Sequence, residues 1–132
     1  MQRTSQLKEL RPDIPSIIEE HAASQQEKFQ NQVLRPILKF QNDLLVQLFK
    51  HYAHKRKGRF YDLSIPEKRL YIEKVIQKDK SFRNLLVGSI VGHFTVEEYV
   101  VFMEAEGDLT RRMMQMCALR LQEHLIDCNY SE

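Results

Sequence analysis

The sequence predicts an all-α, single-domain helical bundle of about five helices, one of them long and bent at a proline. Three observations predict it. Apolar residues recur at helical spacing through most of the chain after residue 28. Breakers are scarce: four glycines and four prolines in 132 residues leave too few turn-formers for an all-β fold. Several apolar runs open on a Ser or Thr followed three residues later by Glu, the mark of a capped helix start. A length of 132 residues suits one domain, and 42% apolar with 29% charged residues is the balance of a chain that buries a core rather than staying disordered.

Residues 1–15 read as an irregular segment, because Pro12 and Pro15 bracket Asp13 and bar a regular helix there. A short helical piece is expected over Ser16 to Ala23. The long helix starts at the capping box SQQE, Ser24 to Glu27. Phe29, Val33, Leu34, Ile37, Leu38, Leu44, Leu45, Leu48, Phe49 and Tyr52 form its apolar stripe. Pro36 falls inside it, since Arg35 is a poor cap and the stripe keeps its phase from Val33 to Ile37. The lost bond to the Gln32 carbonyl should bend the axis. The helix stops at Gly58, after basic residues that complement its dipole. Ser64, Pro66 and Glu67 open a second helix. Asp79 caps a third, which runs to Val91 with Gly92 as its stop. Thr95 and Glu98 open a fourth, ending before Gly107, and Asp108 is the expected cap of a fifth.

Charge narrows the functions. Twenty Lys and Arg against 18 Asp and Glu give 20 − 18 = +2, so net charge alone does not imply nucleic acid. One stretch is different: Lys50, Lys55, Arg56, Lys57 and Arg59, with His51 and His54 among them, are followed by Phe60 and Tyr61. This is the candidate anion contact, for a nucleic-acid backbone or another anionic ligand. Gln41 falls in the middle of the long helix's apolar face. With Asn31 and Asn42 it is a candidate buried polar site, either a core hydrogen bond that fixes register or the polar contact of an internal pocket.

Catalytic motifs are missing: there is no nucleophile motif, phosphate-cradling glycine loop, dinucleotide fingerprint or CxxC pair. His93, just before the Thr95 cap, reads as a turn residue or an acid/base group. His124 and Cys128 are spaced for half a zinc site. Cys117 lies about 10 Å of helix rise from His124, too far to share a metal. No cofactor or metal site is therefore expected, and with no recognisable catalytic motif the chain is read as a non-enzyme, with the question of activity left open. Cys117 and Cys128 are too far apart on one helix for a disulfide, and no run is long and apolar enough to span a membrane, so a cytoplasmic protein is expected. The last helix carries two stripes, Met113–Cys117–Leu121–His124–Cys128 and Leu119–Ile126; a helix apolar on two faces is sandwiched, by another helix of this chain or by the same helix of a second subunit, and with so few helices to cover it a homodimer is expected.

The segments FQNQVLRPILKFQNDLL, YIEKVIQKDKSFRNLLVGSIVGHFTVEEY and RRMMQMCALRLQ resemble a family of small uncharacterised all-helical bacterial proteins, some of which carry the label glyoxalase. The resemblance implies a helical fold. Metal-dependent glyoxalases use βαβββ modules with His and Glu ligands on strands. No strands or matching ligand set are legible here, so the label transfers no catalytic residue. The functional expectation is a small, homodimeric binding or interaction protein of unknown partner; the alternatives are a nucleic-acid or anionic-ligand binder through the Lys50–Arg59 cluster and, less favoured, the glyoxalase-type lyase that the family label implies.

Overall fold

The computed structural model describes residues 2–13 and 24–127, and every regular element among them is helical. α1 spans Gln2–Leu10. α2 (Gln25–Phe29), a π-helical turn (Gln30–Leu34) and α3 (Arg35–Lys55) follow one another without a break. A 3₁₀ turn (Arg59–Asp62) leads to α4 (Ile65–Lys78), α5 (Lys80–Val91), α6 (Val96–Glu104) and α7 (Glu106–Gln122), which ends in a second π-helical turn (Glu123–Asp127). No helix among the described residues is long and apolar enough to cross a membrane. The short helix expected over residues 16–23, and Cys128, lie outside the described residues.

The long helix is continuous through Pro36, as its unbroken stripe requires. The proline is accommodated by the π-helical turn just before it, where the Arg35 N–H reaches back to the Gln30 carbonyl. The N-terminus departs from expectation: residues 2–10, read as irregular, form α1. The prolines act only from Arg11 onward, while QRTSQLKEL contains mostly good helix formers and no breaker. α7 also starts earlier than its expected cap. Gly107 lies inside its first turn, and the Leu109 N–H bonds the carbonyl of Ala105. The Asp108 carboxylate accepts instead from Arg111 and from Arg112 Nε, the latter at 2.8 Å.

The Ser64, Asp79 and Thr95 starts are as read, whereas at Ser24 only the serine half of the expected box forms, the Glu27 carboxylate accepting from the Ser24 hydroxyl at 3.4 Å. Ser64 with Glu67, and Thr95 with Glu98, each form a reciprocal capping box. Ser24 Oγ accepts from the Glu27 N–H at 3.1 Å, and Asp79 Oδ1 from the Phe82 N–H at 3.1 Å.

The described residues fall into two compact units, 2–13, 24–41 and 87–113 in one, 42–86 and 114–127 in the other. The first packs Phe29, Leu34, Ile37, Leu38, Ile90, Phe94, Phe102 and Met113, with the Phe94 ring edge-on to Phe29 at 5.5 Å and to Phe102 at 5.4 Å. α1 buries no residue of its own. Polar contacts hold it: Arg3 donates to the carbonyls of Phe94 (2.6 Å) and Gly92 (3.0 Å), and Arg11 to that of His93 (2.7 Å). These carbonyls belong to the turn after α5, where a helix end leaves acceptors unsatisfied.

The second unit is built around Phe49, whose ring meets Phe60 at 5.2 Å, Phe82 at 6.0 Å, and Tyr52 and Tyr71 at 6.1 Å. In the buried stripe of α3 pairs recur every four residues, as in Leu45–Val46 following Gln41–Asn42. Leu44, assigned to that stripe from sequence, falls one position short and is exposed, while Val46 takes the buried place.

Lys57 is the one described non-glycine residue with positive φ (63°). The Gly58 N–H bonds the Ala53 carbonyl and the Lys57 N–H that of His54, so α3 ends in a Schellman motif with Lys57 in the left-handed position. A lysine there costs about 1 kcal/mol relative to glycine. Lys57→Gly is expected to raise the melting temperature by about 2–4 °C in a calorimetric scan.

Candidate anion-binding cleft

The end of α3 and the start of α5 enclose a surface cleft of about 230 Å³, lined by Leu48, His51, Tyr52, Lys55, Arg56, Asp79, Ser81, Phe82 and Leu85. The α3 residues recur at helical spacing and so share one face. α5 contributes its cap and first two turns.

One carboxylate lies in this cleft, and its partners are already in place. Tyr52 Oη donates to Asp79 Oδ2 at 2.7 Å, and Arg56 Nη2 stands 3.3 Å from the same oxygen. The Arg56 guanidinium lies over the Tyr52 ring at 3.5 Å, and the Tyr52 ring meets Phe82 at 4.8 Å. The Tyr52 hydrogen bond and the Phe82 N–H, helped by Arg56, hold the Asp79 carboxyl below its ordinary range despite an opposing desolvation penalty. Burial, reinforced by the bond to Asp79, pushes the Tyr52 hydroxyl up to about 12, so it remains a donor at neutral pH.

Asp79 and Arg56 therefore offset one another, and the exposed Lys55 stands as the unbalanced charge of the lining. His51 and Ser81 add polar groups beside it. Leu48, Phe82 and Leu85 supply an apolar wall on which Leu85 remains about half exposed. Of the basic residues read from sequence, Lys55 and Arg56 come together here. Lys57 and Arg59 are exposed outside the lining, and Lys50 is half-buried. Asp79, legible only as a helix cap, and the α5 wall were missed; nothing local in the sequence places α5 against the end of α3.

The amides read as a polar site have separate partners. Gln41 Nε2 donates at 2.9 Å to the Ser89 carbonyl in the last turn of α5, which keeps a buried amide paired and fixes register. Asn42 Oδ1 accepts from Arg120 Nη1 at 3.1 Å, and Asn31 is half-buried in the π-helical turn. The His93 ring rests against Phe40 at 5.4 Å; burial, then the charges of Arg11 and Arg3, lowers its pKa and favours the neutral form. Burial pushes the Cys117 thiol up to about 12, which leaves it unreactive. Among the described residues, no three His, Cys, Asp or Glu side chains gather in a way that could hold a metal ion.

No family model, curated protein or solved structure matches the chain.

Proposed function

We propose that this is a binding protein whose ligand is a small anion with an apolar body, such as an aryl or alkyl carboxylate, held in the cleft between α3 and α5. The observation that carries this reading is the uncompensated Lys55 beside an apolar wall, in a cleft whose own carboxylate is already paired with Arg56 and Tyr52. A water molecule occupies about 30 Å³ in the liquid, so the 230 Å³ cleft holds about eight water-sized groups, and the open mouth leaves room for the rest of a small aryl acid. The anionic head would meet Lys55, His51 and Ser81; the body would cover Leu48, Phe82 and Leu85.

Isothermal titration with 3-phenylpropionate tests it. Binding at about millimolar affinity is expected, with the neutral alcohol 3-phenylpropanol and inorganic phosphate each about tenfold weaker or worse. Lys55→Gln should remove the preference for the acid over the alcohol, while Lys57→Gly should leave it intact. Equal binding of acid and alcohol to the wild-type chain would refute the reading.

A second reading is favoured by the exposed Lys55, Lys57 and Arg59, which extend positive charge past the cleft: a polyanion such as single-stranded nucleic acid. It predicts oligonucleotide binding that weakens steeply with salt. Self-association belongs to the proposal as well, since Leu119 leaves the second apolar face of α7 exposed. Native mass spectrometry reads the stoichiometry directly.

A further inference from the structure

We infer that the outer face of α6 is a docking surface for a protein partner: an amphipathic helix with basic residues flanking its apolar side. α6 has the sequence VEEYVVFME, and of its apolar side chains Phe102 alone is buried. Val96, Tyr99, Val100 and Met103 are between 42% and 51% exposed. Their spacing, i, i+3, i+4 and i+7, makes one continuous apolar stripe turned away from the core. Scattered exposed apolar residues are ordinary on a protein surface, whereas a contiguous helical stripe of this kind marks an interface. Helix-in-groove partners are read by anchors at this same spacing.

Charge selects the occupant. Glu97 and Glu104, both exposed and seven residues apart, run between this stripe and the exposed Val101. The remaining acid of the helix, Glu98, is turned inward to Arg11. α6 carries no Lys or Arg, so pairing it with the α6 of a second copy offers no cation in either direction. Antiparallel pairing would set Glu97 opposite the second copy's Glu104, and facing like charges oppose association. Glu97 already accepts from Thr4 Oγ1 at 3.4 Å but stays exposed, so a partner with Lys or Arg along its flank adds a cation beside both glutamates while its apolar side covers Val96, Val100 and Met103. The surface is two to three turns long, so the contact is a transient one. It shares no residue with the α3–α5 cleft and does not depend on what that cleft binds.

The test uses two fluorescein-labelled 18-residue helical peptides with leucine at heptad a and d positions, one flanked by lysines, the other by glutamates. Fluorescence anisotropy with the full chain should show saturable binding of the lysine peptide, at least tenfold tighter than the glutamate peptide and weakened by 0.5 M salt. Val100→Glu, at an exposed position, should abolish binding without changing the thermal melt. The charge reversal Glu97→Lys with Glu104→Lys should transfer the preference to the glutamate peptide. Three results would each overturn the proposal: no saturable binding of the lysine peptide, equal binding of both peptides, or unchanged affinity in Val100→Glu. A dimer in native mass spectra that Val100→Glu dissolves would also overturn it, by assigning the face to a second copy.

Discussion

Phe49→Ala is expected to lower the unfolding free energy by about 4 kcal/mol, within the usual range for truncating a buried aromatic. Phe49 is fully buried, and four aromatic rings surround its own at 5.2–6.1 Å. Removing it forfeits the transfer free energy of the ring, leaves a cavity that its neighbours fill only in part, and breaks edge-on pairs worth about 0.5–1.5 kcal/mol each. Domains of this size are stable by only about 5–15 kcal/mol, so the variant should be marginal. Two of the four neighbours, Tyr52 and Phe82, are walls of the cleft. Urea denaturation should show the midpoint falling steeply with the slope little changed, and 3-phenylpropionate should bind more weakly even where the chain remains folded. Phe49→Leu, which keeps most of the apolar bulk, should cost far less. A loss under about 1 kcal/mol for Phe49→Ala would mean that the site collapses freely and that this cluster does not hold the unit together.

Arg11→Met is the second large effect, about 3 kcal/mol. Arg11 meets both oxygens of Glu98, at 2.6 and 2.7 Å, and the two side chains are only 10% and 14% exposed. Removing the guanidinium leaves a largely buried carboxylate with its capping bond alone, and releases the contact to the His93 carbonyl that anchors the end of α1. The pH dependence distinguishes this cause from lost packing. Burial by itself would raise the Glu98 carboxyl; Arg11 and the Thr95 N–H outweigh it and hold the pKa below the ordinary value. A group depressed on folding stabilises fully above its unfolded pKa, about 4.3 for glutamate, and loses that contribution as pH falls through the folded value. The wild-type chain should therefore lose stability below about pH 4. In Arg11→Met the unpaired carboxylate is relieved by protonation, so the gap between variant and wild type should narrow as pH falls. A gap that stays constant from pH 7 to pH 3 would assign the loss to packing. The double variant Arg11→Met with Glu98→Gln should be destabilised by less than the sum of its two single changes.

The contrast between these two positions shows what the sequence could and could not convey. Phe49 was legible as core because helical spacing alone places it beside Leu45 and Tyr52, and the Ser64 and Thr95 boxes were legible because their chemistry is complete within four residues. Arg11 was not: its partner lies 87 residues away, and its proximity to Pro12 drew the whole N-terminal stretch into an irregular reading. The same limit applies to the cleft. Lys55 and Arg56 stood out as local charge, but only the fold shows that Asp79, 23 residues on, answers Arg56 and leaves Lys55 unbalanced. The α6 segment was readable as a helix; that Val96, Tyr99, Val100 and Met103 stay exposed on it was not. Leu44 was misplaced because three consecutive apolar residues, Leu44 to Val46, span more arc than one face can bury.

The most direct test of the cleft is a ¹H–¹⁵N correlation titration of the full chain with 3-phenylpropionate. Saturable shifts confined to the amides of residues 48–56 and 79–85 are expected, with apparent affinity reduced at least tenfold by Lys55→Gln. Shifts scattered over the surface, or the same titration curve in Lys55→Gln, would contradict the binding proposed for the cleft.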